Sequence, residues 1–300
     1  MRRVFWSLIL LCLVGAPAVA DEQVPAYLIR LPASVKTVFV ADTSAAKFHR
    51  FDNAGGMDVE YGGDTYMSIG QNGDGKQRNG DRKTPLGIYF VIEQLDTSRM
   101  HEKYGITAFT LDYPNALDRR MERTGDGIWV HGVDRRGGER PAWDTDGCIA
   151  LPNENLAALE SHFLPNVTPV LISHSLAWVP RRQVDELRRE LDAAVSQWVD
   201  SQQNGDMHSY LTLYDDEFRH WGMSKTEWIA FRNETLASRS VQEITISEVL
   251  LLADPAADDV YLSRFRMATT EGASSVVLTK RLYWRRDPRG LFKVIAEDSG

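Results

Sequence analysis

Ile128-Trp129-Val130-His131-Gly132 and Thr145-Asp146-Gly147-Cys148-Ile149-Ala150-Leu151 are the two stretches that decide how this chain is read. Each holds a short apolar run of strand composition. His131 ends the first run and Cys148 opens the second, so pairing of the two strands would bring an imidazole and a thiol to one sheet end. A thiol is largely protonated at neutral pH, with a reference pKa of about 8.5. A neighbouring imidazole that takes its proton makes it a nucleophile. Gly147 lets the backbone approach closely, so its N–H and that of Cys148 are candidate donors to an oxyanion. His131 also needs an acceptor on its other ring nitrogen, and either Asp146 or a backbone carbonyl can serve. Neither Cys148 nor His131 has a second Cys or a close His beside it, so no metal site is expected.

Composition narrows the class. The 300 residues are 43% apolar and 25% charged, as in ordinary soluble chains long enough for two domains. Disordered, collagen-like and polytopic membrane classes are excluded. A formal net charge of −8 argues against a nucleic-acid partner. Arg2 and Arg3, an apolar run over residues 4–14 and Ala18-Val19-Ala20 have the form of a signal peptide, residues 1–20, cleaved before Asp21. The run is shorter than the roughly 20 residues that span a bilayer. This predicts export across the inner membrane to the periplasm or cell wall. Cleavage removes Cys12 and leaves Cys148 as a lone thiol, which in an exported protein points to a reactive group.

The chain divides near residue 180. Residues 36–175 alternate short strand-like runs with Gly-rich turns and predict a β-sandwich or barrel. One helix is expected over residues 153–163. Residues 181–300 open with helices: Val184, Leu187, Leu191, Ala194, Val195 and Trp198 recur at helical spacing. Met207, Tyr210, Leu211, Tyr214 and Phe218 repeat the pattern. Ser224-Lys225-Thr226-Glu227 is a capping box that starts a third helix, expected to bury Trp228 and Phe231. Strand-like runs follow at 241–252, 260–269, 275–286 and 291–296, which makes this an α+β domain.

The motifs resemble a known family. His131-Gly132 followed by Thr145-x-Gly147-Cys148-Ile149 is similar to the signature of the L,D-transpeptidase catalytic domain, the YkuD family. Gly80-Asp81-Arg82-Lys83-Thr84-Pro85-Leu86-Gly87-Ile88-Tyr89 resembles one of its strands. Tyr113-Pro114-Asn115-Ala116-Leu117-Asp118-Arg119-Arg120 resembles its YafK-like branch. The resemblance covers about residues 36–175. It implies a β-sandwich whose cysteine attacks the L,D bond after diaminopimelate in a peptidoglycan stem peptide, expels D-alanine and forms a thioester, with no cofactor. An amine acceptor then gives the L,D-transpeptidase product, a cross-link. Water gives a tripeptide, the L,D-carboxypeptidase outcome, and an amidase that frees protein from diaminopimelate is a further variant. Two positions depart from the pattern. Asp146 stands where the family commonly has His, and Ala150 where it commonly has Arg, a natural carboxylate clamp. These departures keep a non-catalytic wall-binding module open. Arg119 and Arg120 are the expected substitutes for the clamp, with Trp143, Thr145 and Gly132 as further substrate contacts. The loop 133–144, carrying Gly137, Gly138 and Trp143, is expected to form a flap over the cleft.

Residues 198–296 resemble the nuclear transport factor 2-like, or SnoaL-like, cone. That resemblance implies a pocket for a ligand or protein partner. The two-domain order is similar to that of cell-shape-determining L,D-carboxypeptidases of helical bacteria. Because both candidate catalytic strands lie upstream, truncation after Pro180 is expected to leave the Cys148 thiol reactive.

Overall fold

The computed structural model describes residues 21–55, 58–136, 140–237, 243–272 and 274–300. The signal-peptide reading of residues 1–20 and the two glycines of the expected flap lie outside the described residues.

An eight-stranded sheet forms the centre of the first domain. Its strands run in the order Ile149–Leu151, Trp129–Gly132, Ala108–Leu111, Gly87–Leu95, Pro169–Ser173, Thr37–Asp42, Lys47–Gly55 and Asp58–Tyr66. Neighbours are antiparallel except at two places. Pro169–Ser173 runs parallel to Thr37–Asp42, and Ile149–Leu151 parallel to Trp129–Gly132. The three central strands are nearly continuous apolar runs because both their faces are covered. Phe39, Ala41, Tyr89, Val91, Val170 and Ile172 point to one side, into a core with Phe109, Val130, Ile149 and Phe163. Val38, Val40, Ile88, Phe90 and Leu171 point to the other. There the covering layer is the second domain, through Leu250, Leu252, Leu262, Tyr283 and Ile295.

In the second domain the helix Arg181–Gln203 lays Val184, Leu191, Val195 and Trp198 into a core with an antiparallel meander. The meander strands are Glu243–Ala253, Val260–Glu271, Ser274–Arg286 and Phe292–Ser299, each within a few residues of its expected run. Met207–Thr212 is shorter than the expected second helix, yet Tyr214 and Phe218 beyond it are still buried. The helix Lys225–Ala237 starts at the expected capping box, with the Ser224 N–H donating to Glu227 Oε2 at 2.8 Å and the Glu227 N–H to Ser224 Oγ at 3.3 Å. Trp228 is buried. Phe231 is instead 54% exposed, because it lines the mouth of a cavity that the cone leaves open.

Residues before 36 join the second domain, which their sequence does not signal. Leu28–Arg30 adds a fifth strand beside Glu243–Ala253, and Gln23–Pro25 pairs with Trp178–Pro180. The expected helix over 153–163 is shorter, Asn153–Leu159 followed by a 3-10 turn, Glu160–His162.

Candidate active site

The strands Trp129–Gly132 and Ile149–Leu151 lie in register, Val130 beside Ile149 and His131 beside Ala150. Val130 and Ile149 point into the core. Alternation then turns His131 and Cys148 to the opposite face. Both line one cavity of about 260 Å³, together with Lys103, Tyr104, Trp129 and Arg140.

His131 is buried and meets Tyr104 edge to face, ring centroids 5.3 Å apart. Its Nδ1 lies 2.6 Å from the Gly132 carbonyl oxygen. A carbonyl can only accept, so Nδ1 carries the proton and Nε2 keeps its lone pair. Asp146 does not orient the ring. The turn carries its side chain outward, where it is exposed and lies 3.4 Å from Lys103 Nζ and 3.9 Å from Arg82 Nε. Burial disfavours the imidazolium and holds His131 at about 4, outweighing the opposing effect of the Gly132 bond.

Cys148 is half-buried, and its S–H donates to the Gly127 carbonyl at 3.3 Å. Burial pushes the thiol up to about 11, against weaker downward pulls from the Trp129 N–H, Lys103 and Arg140. Thiol and imidazole therefore both rest neutral near pH 7. Such a pair can transfer a proton as the sulfur attacks a carbonyl, but does not store a thiolate.

The turn before the cysteine is organised by hydroxyls. Thr145 Oγ1 donates to the Cys148 carbonyl at 2.7 Å and accepts the Gly147 N–H at 3.1 Å. Thr84 Oγ1 donates to the Gly147 carbonyl at 3.0 Å. The Gly147 N–H expected to face an oxyanion is thus committed to Thr145, which leaves the Cys148 N–H of the expected pair. Gly147 has φ +129°, and a Cβ there would sit 2.8 Å from the Lys83 carbonyl oxygen, so glycine is required.

Comparison with known proteins assigns the two domains. The L,D-transpeptidase catalytic domain, YkuD, matches residues 36–172, and the Cds6 C-terminal NTF2-like domain matches residues 190–298. Residues 36–172 are a YkuD-family domain. The YkuD and NTF2-like pair as a whole is similar to Bd1075 of Bdellovibrio bacteriovorus, with 24% identity and a TM-score of 0.77 over 93% of this chain and 98% of that one. It is also similar to the helical cell shape determining protein Pgp2 of Campylobacter jejuni, with 24% identity and a TM-score of 0.76 over 87% and 91%. At this identity the likeness establishes the fold. No curated protein matches the sequence.

Within the YkuD domain, the structure separates several expected site residues from the cysteine. Arg119 and Arg120 end the helix Ala116–Arg120 and face the NTF2-like domain. Arg119 pairs with Asp298 at 3.3 Å and lies over the Trp221 ring at 4.7 Å, while Arg120 pairs with Glu217 at 3.3 Å. Neither lines the cavity of Cys148. Trp143 starts the short strand Trp143–Thr145 paired with Ile69–Gly70; it is 63% exposed and outside the cavity lining. Arg135 ties the start of the expected flap to the carbonyls of Gly105, at 2.9 Å, and Thr97. Gly132 serves packing: a Cβ on Gly105 would sit 2.5 Å from the Gly132 Cα. That close approach seats the 3-10 turn Glu102–Tyr104 against the histidine strand and delivers Lys103 and Tyr104 to the site. No sequence signal marks those two residues, since three residues of 3-10 turn carry no periodicity. Arg140 belongs to an Arg-rich stretch that reads equally well as solvated surface.

Proposed function

We propose that this chain is an exported cysteine enzyme of the cell wall, an L,D-transpeptidase acting on diaminopimelate-containing stem peptides of peptidoglycan. The observation that carries the reading is the shared cavity of Cys148 and His131, with His131 Nε2 left as an acceptor. The YkuD match supports the substrate class, and the form of residues 1–20 supports export.

In the proposed reaction the stem peptide enters the cavity with its L,D bond against the sulfur. Cys148 Sγ attacks the carbonyl carbon while His131 Nε2 takes the thiol proton. Because both groups rest neutral, transfer accompanies attack rather than preceding it. The tetrahedral oxyanion collapses, the C–N bond breaks, and His131 returns the proton to the departing D-alanine nitrogen. A thioester remains. An amine acceptor then attacks it, losing a proton to His131, and the thiolate leaves and is reprotonated.

Water as the acceptor, giving tripeptide, is the second reading. The order of a YkuD and an NTF2-like domain supports it, because that order resembles the one in cell-shape-determining L,D-carboxypeptidases. The two are separated by incubating the protein with tetrapeptide muropeptides and resolving the products by mass. Cross-linked dimer identifies transpeptidation and tripeptide identifies hydrolysis. Unchanged substrate, from protein whose Cys148 still alkylates, would remove both.

A further inference from the structure

Two cations frame the thiol, and the proton transfers above use neither. Lys103 reaches the cavity from the turn Glu102–Tyr104, and Arg140 from the segment leading into Trp143–Thr145. Lys103 Nζ is 3.4 Å from Asp146 Oδ2, a long contact to an exposed carboxylate, and such contacts exchange readily. Arg140 is fixed. Its Nη2 donates to the Asp144 carbonyl at 2.8 Å, and its side chain is only 17% exposed. Arg140 Nε is buried without a hydrogen bond, the Asp144 carboxylate oxygen 3.1 Å away being out of line. The Asp144 carboxylate offsets its charge from one side, while the side chain lines the cavity of Cys148 from the other. The acids that line the cavity, Asp126 and Asp146, are both exposed. Each cation is less exposed than the carboxylate it faces, Lys103 42% against 63% for Asp146 and Arg140 17% against 47% for Asp144. The site's own groups feel these charges, since Lys103 and Arg140 favour the thiolate of Cys148 and disfavour the imidazolium of His131.

We propose that Lys103 and Arg140 hold a carboxylate of the stem peptide beside the scissile bond, that of the terminal D-residue which Cys148 expels. The peptide's identity rests on the function proposed above; the anion preference at the thiol does not. A terminal carboxylate belongs to the residue immediately after the attacked carbonyl, and consecutive Cα atoms are about 3.8 Å apart. A cavity holding both the sulfur and the cations can therefore take both ends of that residue. An ammonium and a guanidinium are suited to a carboxylate, the guanidinium by its planar fork. The donor peptide then ends at the expelled residue. A peptide that continues past it presents an amide at this place and is a poor donor. The diaminopimelate side-chain carboxylate has the same chemistry on the acyl side of the bond, so the test separates the two.

The test measures alkylation of Cys148 by iodoacetate and by iodoacetamide, located by peptide mapping, in the full chain and in Lys103→Met and Arg140→Met. In both reactions the thiolate attacks the reagent's CH2 carbon, an S–C bond forms and the C–I bond breaks to release iodide, so the rate ratio cancels changes in thiolate fraction. Each variant is expected to lower the iodoacetate preference by about three- to tenfold, and Arg140→Lys to retain most of it. A ratio unchanged in both Met variants overturns the inference, even if both reagents slow down. The second arm compares a tetrapeptide bearing a free terminal carboxylate with its carboxamide. Wild type should favour the free acid in kcat/KM, and the Met variants should lose that preference. A preference for the acid that survives in the variants overturns the assignment to the terminal residue. No turnover of either peptide, with the alkylation ratio shifted as expected, supports the anion site and counts against the proposed function instead.

Discussion

Arg281 and Asp298 meet in a bidentate pair, Nε to Oδ1 at 2.7 Å and Nη2 to Oδ2 at 2.8 Å, inside the boundary between the two domains. The third guanidinium nitrogen reaches Asp112 of the YkuD domain, whose other carboxylate oxygen accepts the Phe90 N–H at 2.7 Å. Burial pushes Asp112 up, and Arg281 opposes that shift. Arg281→Met leaves Asp112 buried without its cation and Asp298 with Arg119 alone, and should cost about 3–5 kcal/mol. Urea unfolding of the full chain measures this, and a loss below about 1 kcal/mol would mean that water already screens the network.

Truncation after Pro180 should not yield a folded YkuD domain. It uncovers Val38, Val40, Ile88, Phe90 and Leu171 together, because Leu250, Leu252, Leu262 and Tyr283 are their covering layer. It also strands Leu28–Arg30 without a sheet. This reverses the expectation from sequence, which counted only the strands that carry the cysteine and the histidine. The truncated protein is expected to aggregate or to lack a cooperative thermal transition. A sharp transition with Cys148 alkylated at the full-length rate would show that the layers are separable.

Two pH dependences follow from Cys148 and His131. With the thiol raised to about 11, alkylation of the free protein by iodoacetamide should climb steadily to pH 10 and beyond. A plateau between pH 6 and 8 would reveal a preformed thiolate–imidazolium pair instead. With His131 held at about 4, the acid limb of kcat/KM should fall near 4 and not near the ordinary 6.5 or so. The same depressed value stabilises the fold above the unfolded pKa, and this contribution is lost as pH falls through about 4.

Cys148→Ala and His131→Ala should part company on stability. The first removes a half-buried sulfur and should abolish muropeptide turnover at a stability cost of about 1 kcal/mol or less. The second removes a buried ring packed on Tyr104 and bonded to Gly132, and should lose turnover along with about 1–3 kcal/mol. Thermal melts beside product analysis decide this, and turnover retained by Cys148→Ala would dismiss the nucleophile.

Trp143→Ala should move stability by less than about 0.5 kcal/mol, because the ring is mostly exposed. A rise of severalfold in KM for stem peptides would support the flap reading of its loop. Unchanged KM would make Trp143 an ordinary surface residue.

The sheet and the central pair were legible in the sequence because apolar runs announce strands, and a strand fixes which neighbours share a face. That logic places Cys148 and His131 from sequence alone. It fails where contact is made by irregular segments. Lys103 and Tyr104 arrive on a 3-10 turn seated by two apposed glycines, Gly105 and Gly132, and no spacing encodes that encounter. Arg119 and Arg120 show the converse error. They sit within a family-like run, but a helix of five residues turns them away from the cysteine toward Asp298 and Glu217. For the acceptor on His131 the sequence offers both Asp146 and a backbone carbonyl, and the fold selects the Gly132 carbonyl.

The strand Leu28–Arg30 pairs with Leu251 and Leu252, more than two hundred residues further along the chain. Loop closure over that length has to be achieved before the pairing returns any free energy, and such topologies fold slowly. The apolar face of Val38, Ile88 and Leu171 stays open until the distant sheet docks. The sheet that carries the cysteine and the histidine is thus completed late: until the C-terminal strands have emerged, one of its faces has no partner to bury it.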